Sequence, residues 1–469
     1  MYFEQFYLSC LAHASYMLGS EGIAAVVDPQ RDVEIYLVEA QKQNMRIATI
    51  IETHMHADFV SGHQELAART GAKIHLGAQA GATIPHAAMK DGDEIRFGRC
   101  VLRFLETPGH SVDSVCVLVT DLDRSPEPWA VLTGDTLFIG EVGRPDLSPG
   151  RTAEELASML YDSLHQKRLK LPDSVKIYPA HGAGSLCGRN ISPERHSTIG
   201  KERAFNYALR PMSREDFITL ITADLPERPE YFFHDKEINR AGAPALSEVA
   251  RLASLSPQEV ARRQAEGTIV LDTRPAALFG AGHVPGSLHI GLQGQYASWA
   301  GILVGLGPQL VIVAEDAQRA EESTLRLARV GIENVAGYLA GGIFAWQQAG
   351  LPLSEVPQIS VLQLHEELSA RPEGIQLLDV RRPMEWEAGH LARARLKPLH
   401  QLRESLGDVN RAQPVAALCR SGYRSSIATS ILKAAGFEQV MNVTGGFDAW
   451  RAHNMPQVGP ADGRKTCTG

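Results

Sequence analysis

Cysteine is scarce in this chain: six in 469 residues, at Cys10, Cys100, Cys116, Cys187, Cys419 and Cys467, none in a C-x-x-C pair. That dispersal argues against a disulfide framework and fits free thiols in a reducing cytoplasm. No apolar run approaches the roughly 20 residues needed to span a bilayer, so no membrane partner is expected. The segment Met1–Phe6 has neither a basic n-region nor an apolar h-region, so no signal peptide is expected. Basic residues are not in excess: 46 Lys and Arg stand against 54 Asp and Glu, a net charge of −8. This removes the electrostatic case for a nucleic-acid or acidic-membrane partner. What remains is 44% hydrophobic and 21% charged, the profile of a soluble globular protein with ample core. Its length corresponds to about three domains.

The C-terminal half contains an internal repeat. One copy reads Ile269-Val-Leu-Asp272-Thr-Arg274, then Gly282-His283, then Gly341-Gly342-Ile-Phe-Ala-Trp346. The other reads Leu377-Leu-Asp379-Val-Arg381, then Gly389-His390, then Gly445-Gly446-Phe-Asp-Ala-Trp450. Asp272 and Asp379 are 107 positions apart, Gly341 and Gly445 104. A period of this size means two tandem globular domains rather than a solenoid. Each copy alternates short β-branched runs with helical stretches, which predicts a parallel-sheet α/β domain. Linkers are expected near Ala241–Pro244 and Leu351–Leu353, and a loose polar tail at the end. The expected domains are 1–245, 255–353 and 358–457, with a flexible tail over 458–469.

Before the repeat, strand-like runs recur at Ile23–Val27, Ile47–Ile51, Val101–Leu105, Val115–Val119, Ala130–Leu132 and Val175–Tyr178, with helical patterns at Val33–Gln43 and Ala153–Leu164. Four patches follow strand-like runs: His54-Met-His56-Ala-Asp58, Thr107-Pro-Gly109-His110-Ser111, Thr133-Gly134-Asp135-Thr136 and Pro179-Ala180-His181-Gly182. Each sets an imidazole or carboxylate beside a glycine or small residue, where a loop can turn tightly at a strand end. One such patch is weak evidence, because a lone histidine is more often structural than a ligand. Four in this order are not.

The spelling from His54 to Phe59 resembles the His-x-His-x-Asp-His motif of the metallo-β-lactamase superfamily, with Phe59 in place of the last histidine. The resemblance covers about half the chain and implies an αββα sandwich. Phe59 cannot coordinate, which implies one metal rather than two. Carried over position by position, the resemblance makes His54, His110 and Asp135 the ligands. It leaves His56, Asp58 and His181 as supporting residues that orient ligands through hydrogen bonds. Two histidines and a carboxylate with open positions suit non-haem Fe(II) and O₂ chemistry, whereas a hydrolytic site tends to hold zinc and a bound hydroxide. The set most resembles the persulfide dioxygenases, which oxidise a thiol persulfide with O₂ to sulfite and the free thiol. The resemblance also points to Arg144 as a holder of substrate carboxylates, with an ordinary surface arginine as the plain alternative. Cys187 is a candidate for a sulfur carrier at the site mouth, with an inert buried thiol as the usual fate.

In the second repeat copy, Cys419-Arg420-Ser421-Gly422-Tyr423-Arg424-Ser425 lies between the strand-like run Val415–Leu418 and the apolar helix Ile427–Ala435. A strand–loop–helix turn aims backbone N–H groups and a helix N-terminus at the loop centre, and the arginines add positive charge. All of these favour a thiolate, or a persulfide anion, on Cys419. The loop and the flanking motifs resemble the rhodanese sulfurtransferases. Cysteine phosphatases use a longer loop than the four residues that separate Cys419 from Arg424, so sulfur is preferred to phosphate. In the first copy, Ala314 stands opposite Cys419 and Glu315 opposite Arg420, when Arg319 is aligned with Arg424. That copy should be catalytically inactive.

The chain as a whole resembles persulfide dioxygenase–rhodanese fusions. What this implies is a metallo-β-lactamase αββα sandwich followed by two rhodanese-like α/β domains, one Fe(II), and no nucleotide cofactor. The implied partners are a low-molecular-weight thiol persulfide, O₂ and sulfite or thiosulfate, and a homo-oligomer is expected. The alternatives are a glyoxalase-II-like thioester hydrolase fused to a sulfurtransferase, and a persulfide sensor or sulfur-relay module.

Overall fold

A computed structural model describes residues 1–167, 170–223, 225, 227–246 and 252–459. The expected flexible tail, with Cys467, lies outside the described residues from position 460. Two compact units divide the chain, Met1–Ala250 with Leu327–Glu333, and Arg251–Arg326 with Asn334–Gly469. Among the described residues no helix is long and apolar enough to cross a membrane.

The first unit is an αββα sandwich. Its first sheet runs in sequence order: β1 (Tyr2–Leu8), β2 (His13–Ser20), β3 (Ile23–Val27), β4 (Arg46–Ile51), β5 (Lys73–Gly77) and β6 (Ala87–Met89). The second holds β7 (Glu94–Phe97), β8 (Cys100–Glu106), β9 (Val115–Asp121), β10 (Ala130–Gly134), β11 (Lys176–Pro179) and β12 (Ser197–Thr198), again as neighbours in sequence order. β2 explains why both faces of the first sheet are buried. Ala14, Tyr16 and Leu18 enter the core shared with Leu102, Phe104, Val117 and Leu132 of the second sheet. Met17, on the opposite face, packs with Tyr36 and Leu66 of the outer helices Glu34–Lys42 and His63–Thr70. The second sheet is covered likewise, by helices Ala153–Tyr161, Ile199–Phe205 and Arg214–Thr222. β1 and β2 are not foreseen by the sequence reading. β2 is buried along its whole length, so it lacks the in–out alternation that marks a half-buried strand. Two of its polar residues are satisfied inside the core: Ser15 Oγ lies 2.6 Å from Tyr36 Oη, and Tyr16 Oη donates to the Pro179 carbonyl at 2.6 Å.

The second unit contains two five-stranded parallel sheets of identical topology. They are β13 (Ser254–Leu255) to β17 (Val335–Leu339) in the order 13-17-16-14-15, and β18 (Gln358–Ser360) to β22 (Val440–Thr444) in the order 18-22-21-19-20. The repeat is physical as well as textual. Arg274 clamps Asp272 and the Gly282 carbonyl, as Arg381 clamps Asp379 and the Gly389 carbonyl. Trp346 Nε1 donates to Pro352 and Trp450 Nε1 to Pro456. Each Gly-Gly pair opens a helix in the left-handed region, with φ of +58° at Gly342 and +55° at Gly446.

The two copies differ in what lies beneath that glycine. A Cβ on Gly446 would collide with the Cys419 carbonyl and lie 2.6 Å from Arg420, whereas one on Gly342 would meet only the Ala314 carbonyl, at 3.3 Å. Gly342→Ala should therefore cost about 1–2 kcal/mol from the backbone conformation alone. Gly446→Ala should cost more than about 3 kcal/mol, because backbone must move. Unfolding midpoints of the two variants in denaturant check the difference, and equal shifts would contradict it.

Candidate functional site

β8 and β10 are alternate strands of an antiparallel run and β11 pairs parallel to β10, so the C-terminal ends of all three share one sheet edge. β4 ends beside them, with the Thr53 carbonyl accepting from Val115 N–H at 2.7 Å. The loops leaving these strands bring His54, His110 and Asp135 together, all buried. One ligand atom from each lies within 4.8 Å of the others. Close approach depends on glycine. A Cβ on Gly143 would collide with the Asp135 carbonyl and lie 2.8 Å from His110 Nδ1.

Hydrogen bonds set the tautomers of both histidines. His110 Nδ1 lies 3.0 Å from the Arg144 carbonyl, which can only accept, so Nδ1 carries the proton. Thr53 Oγ1 gives its proton to Asp28 Oδ2 at 2.9 Å and can therefore only accept from His54 Nδ1, at 3.1 Å. Both Nε2 lone pairs are left free. They point toward Asp135 Oδ2, at 3.8 Å for His54 and 3.5 Å for His110. Burial, with His56 nearby, pushes His54 well below its ordinary pKa, and burial lowers His110 too, so both are neutral. Burial works against the Asp135 carboxylate, yet His181, then His54 and His110, hold its pKa well below the usual range. Two neutral imidazoles with free Nε2 atoms and an ionised carboxylate form a donor set that fits one divalent metal.

The remaining motif residues face elsewhere. His181 Nδ1 donates to Asp135 at 2.8 Å, and its Nε2 pairs with Asp58 at 2.9 Å. Although burial opposes its charge, Asp135 and Asp58 raise His181 to about 10. His56 turns away from the triad to Asp28 and Glu52, at 3.1 and 3.3 Å. Phe59 is fully buried. Its ring centroid lies 4.5 Å from that of His56, 6.4 Å from that of His181 and 4.2 Å from that of His13. An apolar ring thus lies among the histidines beside the triad.

Arg144 and Cys187 differ from expectation. The Arg144 guanidinium is buried and holds Asp146 through two bonds of 2.7 and 2.9 Å, so its link to the triad runs through its carbonyl. Cys187 is not at a mouth. It is 1% exposed, packed with Phe138 and Ile191, and grouped with Asp58 and His181. Burial, then Asp58 and Asp135, raises its thiol well above the ordinary value, which keeps it protonated.

Sequence reasoning missed four residues here. Asp28 holds Thr53 by two bonds, and Glu52 holds His56 and His63. Asn239 Nδ2 donates to the His56 and Phe59 carbonyls, at 2.9 and 2.8 Å. His13 is buried with no hydrogen-bond partner on either ring nitrogen. Asp28 and Glu52 carried the same signal as the triad, an acid directly after a strand-like run. Asn239 and His13 carried none.

In the second unit, β21 (Val415–Leu418) leads to Cys419, and the helix Tyr423–Ala434 follows Gly422, whose φ is +102°. Gly422 N–H donates to Cys419 Sγ at 3.1 Å, and Ser425 Oγ lies 3.4 Å from that sulfur. The loop's arginines act from a distance. Arg424 is bound to Glu385 by two bonds of 2.6 Å, and the exposed Arg420 lies 3.6 Å from Asp448. Burial opposes the Glu385 charge, but Arg424 holds its pKa down at about 2. Tyr423 Oη donates to Gly291, so the contribution of Tyr423 to the loop centre is its backbone. Ser421 lines the cavity next to the loop. In the first copy, Ala314 follows β16 (Leu310–Val313) where Cys419 follows β21, and exposed Glu315 and Asp316 come next.

Comparison with known proteins agrees with this division. Residues 8–181 match the metallo-beta-lactamase superfamily, and residues 256–349 and 363–453 match the rhodanese-like domain. The chain is 30% identical to "Persulfide dioxygenase ETHE1, mitochondrial" of Homo sapiens, over 47% of this chain and 80% of that protein. It is 29% identical to the hydroxyacylglutathione hydrolase of Rhodopseudomonas palustris, over 51% and 86%. A crystal structure of a metallo-beta-lactamase from Staphylococcus aureus superposes with a TM-score of 0.66 at 28% identity, covering 72% of this chain and 99% of that one. The chain belongs to the metallo-β-lactamase superfamily, with a persulfide dioxygenase-like domain followed by two rhodanese-like domains in tandem.

Proposed function

We propose that this sulfur-metabolising enzyme is bifunctional, oxidising a thiol persulfide to sulfite in its first unit and moving sulfane sulfur between persulfide and sulfite or thiosulfate at Cys419. The observation that carries the first half is the triad of free His54 Nε2, His110 Nε2 and ionised Asp135, next to a Phe59 ring where a second ligand set would need a histidine. Fe(II) held by these three residues would supply the activation of O₂ and of the persulfide sulfur. The overall step balances as RSSH + O₂ + H₂O giving RSH, sulfite and two protons. Around it, the Arg144 carbonyl and Thr53 orient the imidazoles, and His181 holds Asp135 ionised. At Cys419 the thiolate takes the outer sulfur of RSSH, releasing RSH. The resulting persulfide gives that sulfur to sulfite, forming thiosulfate and restoring the thiolate. The Gly422 N–H supports the negative sulfur in both states.

A second reading is a metal-dependent thioester hydrolase, favoured by the comparable likeness to the hydroxyacylglutathione hydrolase. Phe59 weighs against it, because it removes a ligand from the position that would help build a second metal site.

Metal analysis of the purified chain should find about one iron per chain, with O₂ uptake on glutathione persulfide. Asp135→Asn should lose both metal and uptake. Zinc content with thioester hydrolysis and no O₂ uptake would sink the dioxygenase reading. Cys419→Ser should abolish thiosulfate formation while sulfite still accumulates from persulfide. If a folded Cys419→Ser chain lost both products, the two-site scheme would be wrong.

A further inference from the structure

The first rhodanese-like copy keeps the frame of a sulfur site and lacks the sulfur, yet its loop is not idle surface. A cavity of about 350 Å³ lies within the second unit, lined by Ser421, Gly422 and Tyr423 of the Cys419 loop and by Glu315, Arg319 and Arg326 of the inactive copy. The two walls are held in register. Tyr423 Oη donates to Gly291 at 2.9 Å, Ser426 Oγ lies 3.0 Å from His289 Nδ1, and His289 N–H donates to Ser430 Oγ at 3.0 Å. The cavity falls at the lower end of the range of small-molecule sites, large enough for a peptide-sized thiol and far larger than thiosulfate needs.

The charges on the inactive wall are mixed. Arg319 and Arg326 share Glu322, at 2.6 and 2.5 Å, and the Arg319 side chain stays about half exposed. Glu315 is exposed and enters no hydrogen bond or ion pair among the described residues. A wall with an exposed carboxylate beside an exposed guanidinium, the two not hydrogen-bonded to each other, is complementary to a molecule carrying both an ammonium and a carboxylate. With Arg319 and Arg326 set against Glu315 and Glu322, it gives no net advantage to a dianion such as thiosulfate or to a carrier rich in phosphate.

We propose that the inactive copy is the carrier-recognition wall of the Cys419 site, and that it selects a zwitterionic amino-acid or peptide thiol, with Glu315 receiving the ammonium and Arg319 the carboxylate. This rests on the sulfurtransferase reading of Cys419. In the step concerned, the carrier sulfur bonds to the outer sulfur of the Cys419 persulfide and the Cys419–sulfur bond breaks. The thiol proton passes to the new persulfide, Cys419 returns to thiolate, and no net oxidation occurs. Glu315 and Arg319 orient the carrier and take no part in the bonds.

The test uses the full chain with thiosulfate as donor, sulfite release as readout, and glutathione, coenzyme A or 2-mercaptoethanol as acceptor. The wild-type chain should favour glutathione over coenzyme A. Glu315→Gln should lower the ratio of kcat/KM for glutathione to that for 2-mercaptoethanol about fivefold, through KM, as expected for one partly exposed ion pair. Glu315→Arg should move the preference toward coenzyme A. An unchanged ratio in variants that melt like the wild-type chain overturns the assignment. Absence of sulfite release from the wild-type chain with every thiol overturns the reading of Cys419, and this assignment with it.

Discussion

The first unit's site depends on keeping a carboxylate ionised where water cannot reach it. Asp135 is buried, and an unpaired carboxylate there would take up a proton rather than bear the cost of desolvation. His181 prevents this by donating to Asp135 on one side while pairing with Asp58 on the other. The imidazolium is thereby matched by two carboxylates, and charge is balanced within the fold before any metal arrives. Asp28 acts from behind Thr53. It accepts from Thr53 Oγ1, and through that bond it fixes which nitrogen of His54 is free. Ligand geometry and ligand protonation are therefore set by the same few buried bonds.

This arrangement also bears on the proposal of a single metal. His181 and His56 are each already held by carboxylates. Phe59 reinforces this by packing against both rings, so that a charged ion near them would face an aromatic ring instead of a ligand. Displacing these bonds would uncover buried acids, which is more costly than leaving them paired.

The convergence of these residues was legible in the sequence, and its legibility has a physical basis. The triad, His181 and Cys419 sit directly after apolar runs, and strand ends are where a sheet can present side chains from several distant segments to one point. The residues not legible lack such a marker. Asn239 reaches its loop from a helix about 180 positions away, and its role is to accept and donate backbone bonds, which any surface asparagine could do in principle. β2 hid because burial on both faces erases alternation. Arg144, Arg420 and Arg424 were read as charges aimed at substrate or sulfur. In the fold Arg144 and Arg424 are ion-paired with acids close by, and Arg420 lies near Asp448. A sequence shows that a charge is present but not which nearby opposite charge has already met it.

The two rhodanese-like copies make the same point in the opposite direction. Their clamps and Gly-Gly turns match, while the loop after the central strand differs. In the second copy that loop is pinned from below. Phe447 N–H donates to the Cys419 carbonyl and Asp448 N–H to the Arg420 carbonyl, at 2.8 and 2.9 Å. A loop pinned in this way around one sulfur has little freedom to adapt to different carriers, and its Gly422 N–H is already directed at the sulfur. If Cys419 transfers sulfur as proposed, selectivity among carriers would rest on a surface that is not part of the cradle. The loop of the first copy, with Ala314 where Cys419 stands, lines the same cavity, and its charges can differ without altering the cradle.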